Sequence, residues 1–541
     1  MPSKFPTVRI SPLQGLNKRD DKYNMKTGDL LYGPNVFCNN DGSIERVKGY
    51  ENLFDPISTT ESICHSIFEW KRYDGSRDIV FLHDDDLYII TSYHSNPSYA
   101  LLLAGMSSGK KIRYVHYNDY LFFGNAFDAN KVVTPNNIHI QLGTVETTDN
   151  ATDLASVKTL FNALKAKYNT HIASTVLHAK ADATNTVASA DLDGGSDQAA
   201  ANAACNELKG DFNGHLDETK VHVNNDIYRT ITAADASSEA TSITLINQAK
   251  ALYNQHVQAC RVMDWCATAP TTAPTLGGAG NYGYCYTFYD KENGVESAPS
   301  PLATSKAVGE LTAMDVSTDP NITHKRIYRT FTSGATYYRV TEIVNQLTAY
   351  TDSAADADLG TALVTEDCDV VPLTSIFCLH KDRIYLSGNM TDPYRVYYTE
   401  PTYPTLYKPA YSFQDFDVSV TGIASIPNGL LIFEKHKTWL WLNPPFGNAP
   451  VVLSGLVGCT NAESIVSIDG TLVFRDPSGN TGVLDNPVVW QSEHGIFASN
   501  GAAPVCISEY INKEYVNCDL NSAVTVHDAF NNRLYAIVGS G

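Results

Sequence analysis

The stretch Asp78-Ile79-Val80-Phe81-Leu82-His83-Asp84-Asp85-Asp86-Leu87-Tyr88-Ile89-Ile90-Thr91 is two apolar strands around a short polar turn. Apolar runs bounded by such a turn predict a tight hairpin. The same unit recurs where Tyr117-Asn118-Asp119-Tyr120 joins KIRYV to LFFGNA, and where His380-Lys381-Asp382-Arg383 joins SIFCL to IYLSG. In each, the turn Asp stands two residues before Leu or Ile and three before an aromatic. Asn428-Gly429 and Asp469-Gly470 carry looser versions, and His527-Asp528 with Arg533-Leu534-Tyr535 makes a longer-looped one.

Short hairpins at both ends of a chain predict blades of one body. The expected fold is therefore mainly β: a propeller-like body interrupted by a helical repeat module and a fibronectin III-like β-sandwich. Unrelated hairpins in two sandwiches are the alternative. The expected division is residues 1–144 (first half of the body), 145–266 (helical insertion), 267–370 (sandwich) and 371–541 (second half).

The helical insertion is a repeat. DLASVKTLFNALKAKYNTHI (153–172), DQAAANAACNELKGDFNGHL (197–216) and SEATSITLINQAKALYNQHV (238–257) align. Asn162, Asn206 and Asn247 coincide, as do Lys165, Lys209 and Lys250, then Asn169, Asn213 and Asn254, then His171, His215 and His256. Asp153, Asp197 and Ser238 stand where helix N-caps belong. Positions 161, 164, 168 and 171 share one helical face, so each helix should bury one stripe in an antiparallel or stacked bundle. His178 and Asp182 correspond to His222 and Asp226 in the links, which look like short β-like connections. The sandwich shows alternating aromatics at Tyr282, Tyr284, Tyr286 and Phe288, with turns at Asn293-Gly294 and Ser333-Gly334.

Composition narrows the functional classes. The 541 residues carry Lys+Arg 39 against Asp+Glu 59, a formal net charge of -20. That balance disfavours wrapping a phosphate backbone, which needs clustered cations, yet suits a wall past which DNA slides. A hydrophobic share of 43% is enough for globular cores, while 31 Tyr and 35 Gly at 18% charged residues lean toward β-structure. No run reaches the roughly 20 apolar residues of a membrane helix, and no secretory signal is expected at the N-terminus. Eleven Cys, odd in number and without a CxxC pair, read as free thiols of a reducing compartment.

Several motifs carry possible chemistry. Gly105-Met106-Ser107-Ser108-Gly109 matches a nucleophile elbow, but a strand rather than a helix should follow it, so no catalytic serine is assigned. Its spacing also fails as a phosphate loop. Asp352, Asp356 and Asp358 miss the EF-hand spacing and are expected in a solvated loop, an irregular calcium site being the alternative. The triple Asp84–Asp86 could belong to a glycosidase carboxylate pair, but sequence cannot pair them. No catalytic residue and no cofactor are assigned, and the chain is expected not to be an enzyme. His171, His178, His215, His222 and His256 are the metal-ligand candidates. Stacked repeats could converge their imidazoles as metal ligands converge. Alternatively each imidazole fixes its own helix end, holding link backbone or pairing with Asn169, Asn213 and Asn254.

The N-terminus adds a resemblance. Leu13-Gln14-Gly15-Leu16-Asn17, Gly28-Asp29, Pro34-Asn35-Val36 and Asn40-Asp41-Gly42-Ser43-Ile44-Glu45-Arg46-Val47-Lys48-Gly49-Tyr50 resemble the opening of tail nozzle or hub proteins of short-tailed bacteriophages, the tail tubular protein B or phage stabilisation protein group. Arg395-Val396-Tyr397-Tyr398, Gly495-Ile496-Phe497-Ala498-Ser499 and Asn532-Arg533-Leu534-Tyr535 are similar to that family's blade wording. Gln14 departs from the usual Gly, and the helical repeat is no core part of the pattern. The resemblance implies a virion tail subunit assembled in the host cytoplasm. It would form a homo-oligomeric ring, expected as a hexamer, below the portal-adaptor proteins, lining the DNA ejection channel without sequence-specific binding. Tail fibres or an adhesin would be further partners. A tail-tip receptor- or carbohydrate-binding propeller is the alternative.

Overall fold

Five four-stranded antiparallel sheets, built largely from neighbouring hairpins, recur among the described residues. The computed structural model describes residues 64–91, 98–135, 143–475, 481–508, 515, 518–528 and 533–539, apart from 176, 179, 219–220, 223–224, 260, 266–267, 366 and 402, with short backbone strand segments between 15 and 46. The chain is mainly β and divides into two compact units, one of Met1–Thr59, Thr374–Tyr398 and Phe413–Gly541, the other of Thr60–Leu373 and Thr399–Ser412. Among the described residues no helix is long and apolar enough to cross a membrane.

In the second unit, the first sheet runs through Cys64–Lys71, Arg77–His83, Asp86–Thr91 and Ser98–Leu103. The next takes Arg113–Tyr117, Tyr120–Gly124 and Lys131–Val133, and its fourth strand is Val262–Asp264, from beyond the helical repeat. The helical module is thus inserted between two adjacent strands of one sheet, with Val133 opposite Val262. The hairpin turns follow their chemistry. Asn118 and Asp119 both take positive φ (50° and 66°), as a two-residue primed turn requires, and Asp84 and Lys381 do so at φ 54° and 56°. Trp70, Leu82, Leu87, Leu121, Phe123 and Val262 share the core of these two sheets.

In the first unit, three sheets stack face to face. They start at Ile376–His380, Val420–Ile426 and Val466–Ser467. The middle sheet explains the stacking. Its strand Gly429–Glu434 is buried at every position. Because side chains alternate across a strand, Leu430 and Ile432 pack with Tyr385 and Val396 on one side, while Leu431 and Phe433 pack with Trp490 and Phe497 on the other. Asp469-Gly470 departs from the expected hairpin. Gly470, at φ 117°, links Val466–Ser467 to Thr471–Arg475, which belong to different sheets. His527 and Asp528 do pair with Leu534 and Arg533. Of the opening motif, Val36–Cys38 pairs antiparallel with Ile44–Arg46. Gly15–Leu16 pairs with Asp29–Leu30, and the rest of 1–63 lies outside the described residues.

The segment 267–370 forms two sheets that share a core. One contains Thr275–Leu276, Glu310–Thr312 and Tyr350–Thr351; the other is built on Ala279–Asp290, His324–Thr330 and Tyr337–Val344. Leu276 and Leu311 of the first meet Tyr284, Tyr286 and Ile327 of the second.

The repeat forms three helices, α1 (Leu154–Ile172), α2 (Gln198–Leu216) and α3 (Glu239–Gln258). Asp153, Asp197 and Ser238 are their N-caps, accepting from the N–H groups of Ser156, Ala200 and Thr241. The helices are parallel, not antiparallel. The α1 and α3 starts meet where Leu154 N–H donates to Glu239, the α2 and α3 starts meet where Gln198 donates to Ser242, and His171, His215 and His256 meet at the other ends. Each helix is about 28 Å long. A link of roughly twenty extended residues easily returns that distance to the next start.

The links are held by asparagine side chains rather than by strand pairing. Asn162 donates to Leu192 O and accepts from Leu192 N–H, both at 2.8 Å. Asn206 does the same with Ala236, Asn247 with Ala151, Asn169 with Val187, Asn213 with Ile231 and Asn254 with Glu146. The Lys165, Lys209 and Lys250 ammonium groups donate to Ser189, Ala233 and Thr148 carbonyls between the two amides. Because α3 holds the segment that precedes α1, the three repeats close into a ring with approximate threefold symmetry.

Asn206→Ala removes a donor and an acceptor from Ala236, itself buried. It should cost about 1–3 kcal/mol. Hydrogen exchange should show faster exchange at Ala236 and the link before it; unchanged protection would show that the amide does not hold the link.

Candidate metal centre

Threefold closure places the recurring histidines at one point. His171, His215 and His256 sit in the last turns of α1, α2 and α3. Their ring centroids lie 5.0–5.4 Å apart, and each pair of rings is close to perpendicular, at 84–89°. His178 and His222 come from the links. The Asp182 N–H donates to Ile172 O and the Asp226 N–H to Leu216 O, folding each link back onto its helix end. His178 thereby lies 4.5 Å from His171 and 5.0 Å from His215, and His222 lies 4.6 Å from His215. All five imidazoles are buried.

Oxygen acceptors orient three of the rings. His215 Nδ1–H donates to Asp182 Oδ2 at 3.0 Å, His256 Nδ1–H to Asp226 Oδ2 at 2.8 Å and His178 Nδ1–H to Ser174 O at 3.1 Å. A carbonyl or carboxylate can only accept, so each of these rings keeps its Nε2 lone pair for the cluster. His256 Nε2 and His171 Nε2 are 3.0 Å apart. One ring nitrogen each of His171, His178, His215 and His256 lies within 4.8 Å of every other. Burial pushes the His215 imidazole down to about 4, against the pull of Asp182, and lowers His178 as well. These two rings are therefore held toward the neutral form, the form in which imidazole ligates metal. Burial opposes ionisation of Asp182, but hydrogen bonds from Asn185, His215 and Thr184 outweigh it and hold the carboxyl below its usual range.

Two parts of this arrangement are invisible in residue spacing alone. The H-x-x-x-D matches at 178–182 and 222–226 are legible, yet each Asp serves the helix histidine of the following repeat. Arg229, fully buried, donates to Asp226 Oδ1 at 2.8 Å, to Glu292 Oε2 at 3.3 Å and to Pro320 O at 3.0 Å, tying the cluster to the sandwich. Asn169, Asn213 and Asn254, offered as partners for the imidazoles, commit both amide groups to link backbone.

The other candidates do structural work. Ser107 Oγ donates to Asp128 Oδ1 at 2.7 Å, and a strand, Arg113–Tyr117, follows it. Asp84 lies in a two-residue turn, while Asp86 Oδ1 accepts from Gly105 N–H at 3.2 Å. Asp352 is not in a solvated loop. It is buried and accepts from Arg329 and from Tyr284 Oη, because Arg329 of the strand His324–Thr330 needs a counter-charge inside the sandwich, and Asp356 accepts from Arg329 too. A separate cavity of about 210 Å³ is lined by Tyr117, Asn118, Tyr120, Phe122, Asn293 and Tyr403, among others.

Arg229→Ala would leave Asp226 and Glu292 buried without their cation. That loss should cost about 3–5 kcal/mol. It should also release Asp226 from His256, so hydrogen exchange should rise at the C-terminal turn of α3; exchange unchanged there would separate Arg229 from the cluster.

No family model matches the chain, and no curated protein matches it. Among solved structures, the chain is similar to BBS1N in complex with ARL6DN, at 10% identity and a TM-score of 0.21 over 51% of this chain and 91% of that one. It is also similar to the extracellular domain of BT4673 from B. thetaiotaomicron, at 11% identity and a TM-score of 0.14 over 44% and 35%. With TM-scores this low, the functional reading rests on the residues of the chain itself.

Proposed function

We propose that the chain is a non-enzymatic structural subunit of a bacteriophage tail, forming the nozzle or hub ring below the portal adaptor and lining the DNA ejection channel. The observation that carries this reading is the recurrence of four-stranded antiparallel sheets on both sides of the inserted modules, one of them completed by Val262–Asp264 across the helical repeat. Such sheets suit the blades of a propeller-like body. The ordered motifs between Leu13 and Tyr50 support the family, and a net charge of -20 suits a channel that must not hold DNA. The two-sheet segment 267–370 would be a fibronectin III-like module presented to fibres, an adhesin or the host surface.

A second reading, a tail-tip receptor- or carbohydrate-binding protein, draws on the cavity beside Tyr117, Tyr120 and Tyr403. Aromatic faces with amides such as Asn118 and Asn293 suit a sugar ring.

Light scattering of the purified chain, alone and with the portal and adaptor proteins of its virion, tests the choice. The nozzle reading expects a ring-sized mass or binding to the adaptor ring. A stable monomer that ignores both and binds host glycan, with loss of binding in Tyr403→Ala, would overturn it in favour of the second.

A further inference from the structure

The structure assigns His171, His178, His215 and His256 to a closed, four-coordinate site for one divalent transition-metal ion of the zinc class. Such an ion would clamp together the C-terminal ends of the three helices.

The argument starts from the cost of the cluster without an ion. His215 Nε2 is buried and has no hydrogen-bond partner, although its Nδ1 is held by Asp182. An orphaned buried polar atom carries a desolvation penalty that an apolar side chain of similar size would avoid. The helices otherwise bury leucine, phenylalanine and tyrosine on this face, so the means of filling the space were at hand. Each repeat nevertheless places histidine there.

Geometry then names the ligand. Tetrahedral zinc–nitrogen bonds of about 2.0–2.1 Å put ligand nitrogens roughly 3.3 Å apart. The spacings within the cluster, from 3.0 Å between His171 and His256 to the 4.8 Å limit of the group, bracket that value. Near-perpendicular rings let lone pairs converge on one point instead of stacking. Asp182 and Asp226 complete carboxylate–histidine pairs behind His215 and His256, the arrangement that fixes tautomer and raises ligand basicity at zinc sites. An all-imidazole donor set selects zinc, cobalt, nickel or copper over calcium and magnesium, which take oxygen. Occupancy requires His171 to carry its proton on Nδ1, because His256 Nε2 now accepts across the pair; the shift is tautomeric and releases no net proton. With four protein donors in a buried site, no position remains for substrate, so the role is structural.

The test is titration of the full-length chain, stripped with chelator, first with Co2+ and then with Zn2+. One Co2+ per chain is expected, with the intense visible absorption of a tetrahedral centre. Zn2+ should displace it and raise the melting temperature of the helical signal. His215→Ala should abolish the absorption. Asp182→Asn, which keeps the side chain's size but removes the carboxylate that His215 donates to, should retain the stoichiometry but weaken affinity about 10–100-fold. A wild-type chain with native circular dichroism that takes up no Co2+, or gives the weak spectrum of a six-coordinate ion, would overturn the assignment. So would a folded His215→Ala protein that binds as tightly as wild type.

Discussion

The two-way hydrogen bond between an asparagine amide and a single link residue is the constraint on which the helical module depends. A link that must return along its own helix exposes backbone donors and acceptors that no neighbouring strand satisfies. Six asparagines, two per helix, meet that need, each giving one donor and one acceptor to the same residue. Side-chain amides thus do what a sheet ladder would do, and the links need no strand partners. The consequence is geometric. With every link returning to the start, all helices point the same way, and equivalent residues of the repeats come together instead of lying at opposite ends.

Convergence has an electrostatic consequence. Five imidazoles in one buried space cannot all be charged, and desolvation lowers His178 and His215. Asp182 and Asp226 orient the rings of His215 and His256 through their Nδ1 atoms. Arg229 supplies the opposing charge to Asp226 and joins it to Glu292 and the Pro320 carbonyl of the neighbouring sandwich. The end of the module that carries the histidines is therefore also the end fastened to the segment 267–370.

The sheets obey a different constraint. In Gly429–Glu434 both faces are buried, so alternate side chains serve two neighbouring sheets and the strand loses the apolar–polar alternation of a half-exposed one. A one-residue slip would exchange the two cores, which makes register strict. The Asn118–Asp119 turn, with both residues at positive φ, sets that register locally in its own hairpin.

Much of this was legible in residue order. Hairpin turns at 84–85, 118–119 and 381–382, helix caps at Asp153, Asp197 and Ser238, and the aligned Asn, Lys and His positions follow from local turn chemistry, local capping and repetition. These signals act over a few residues, or recur at a fixed period. What only the tertiary structure decided depends on how the chain closes on itself. Asp182 and Asp226 reach the histidine of the next repeat, Arg229 meets a carboxylate 63 residues away, Val262–Asp264 completes a sheet begun before the helices, and Asp469-Gly470 joins two sheets instead of turning within one. Nothing in the spacing of a histidine says whether its helix runs parallel or antiparallel to the next. That direction was set by the return of the links, and with it whether the imidazoles would scatter or meet.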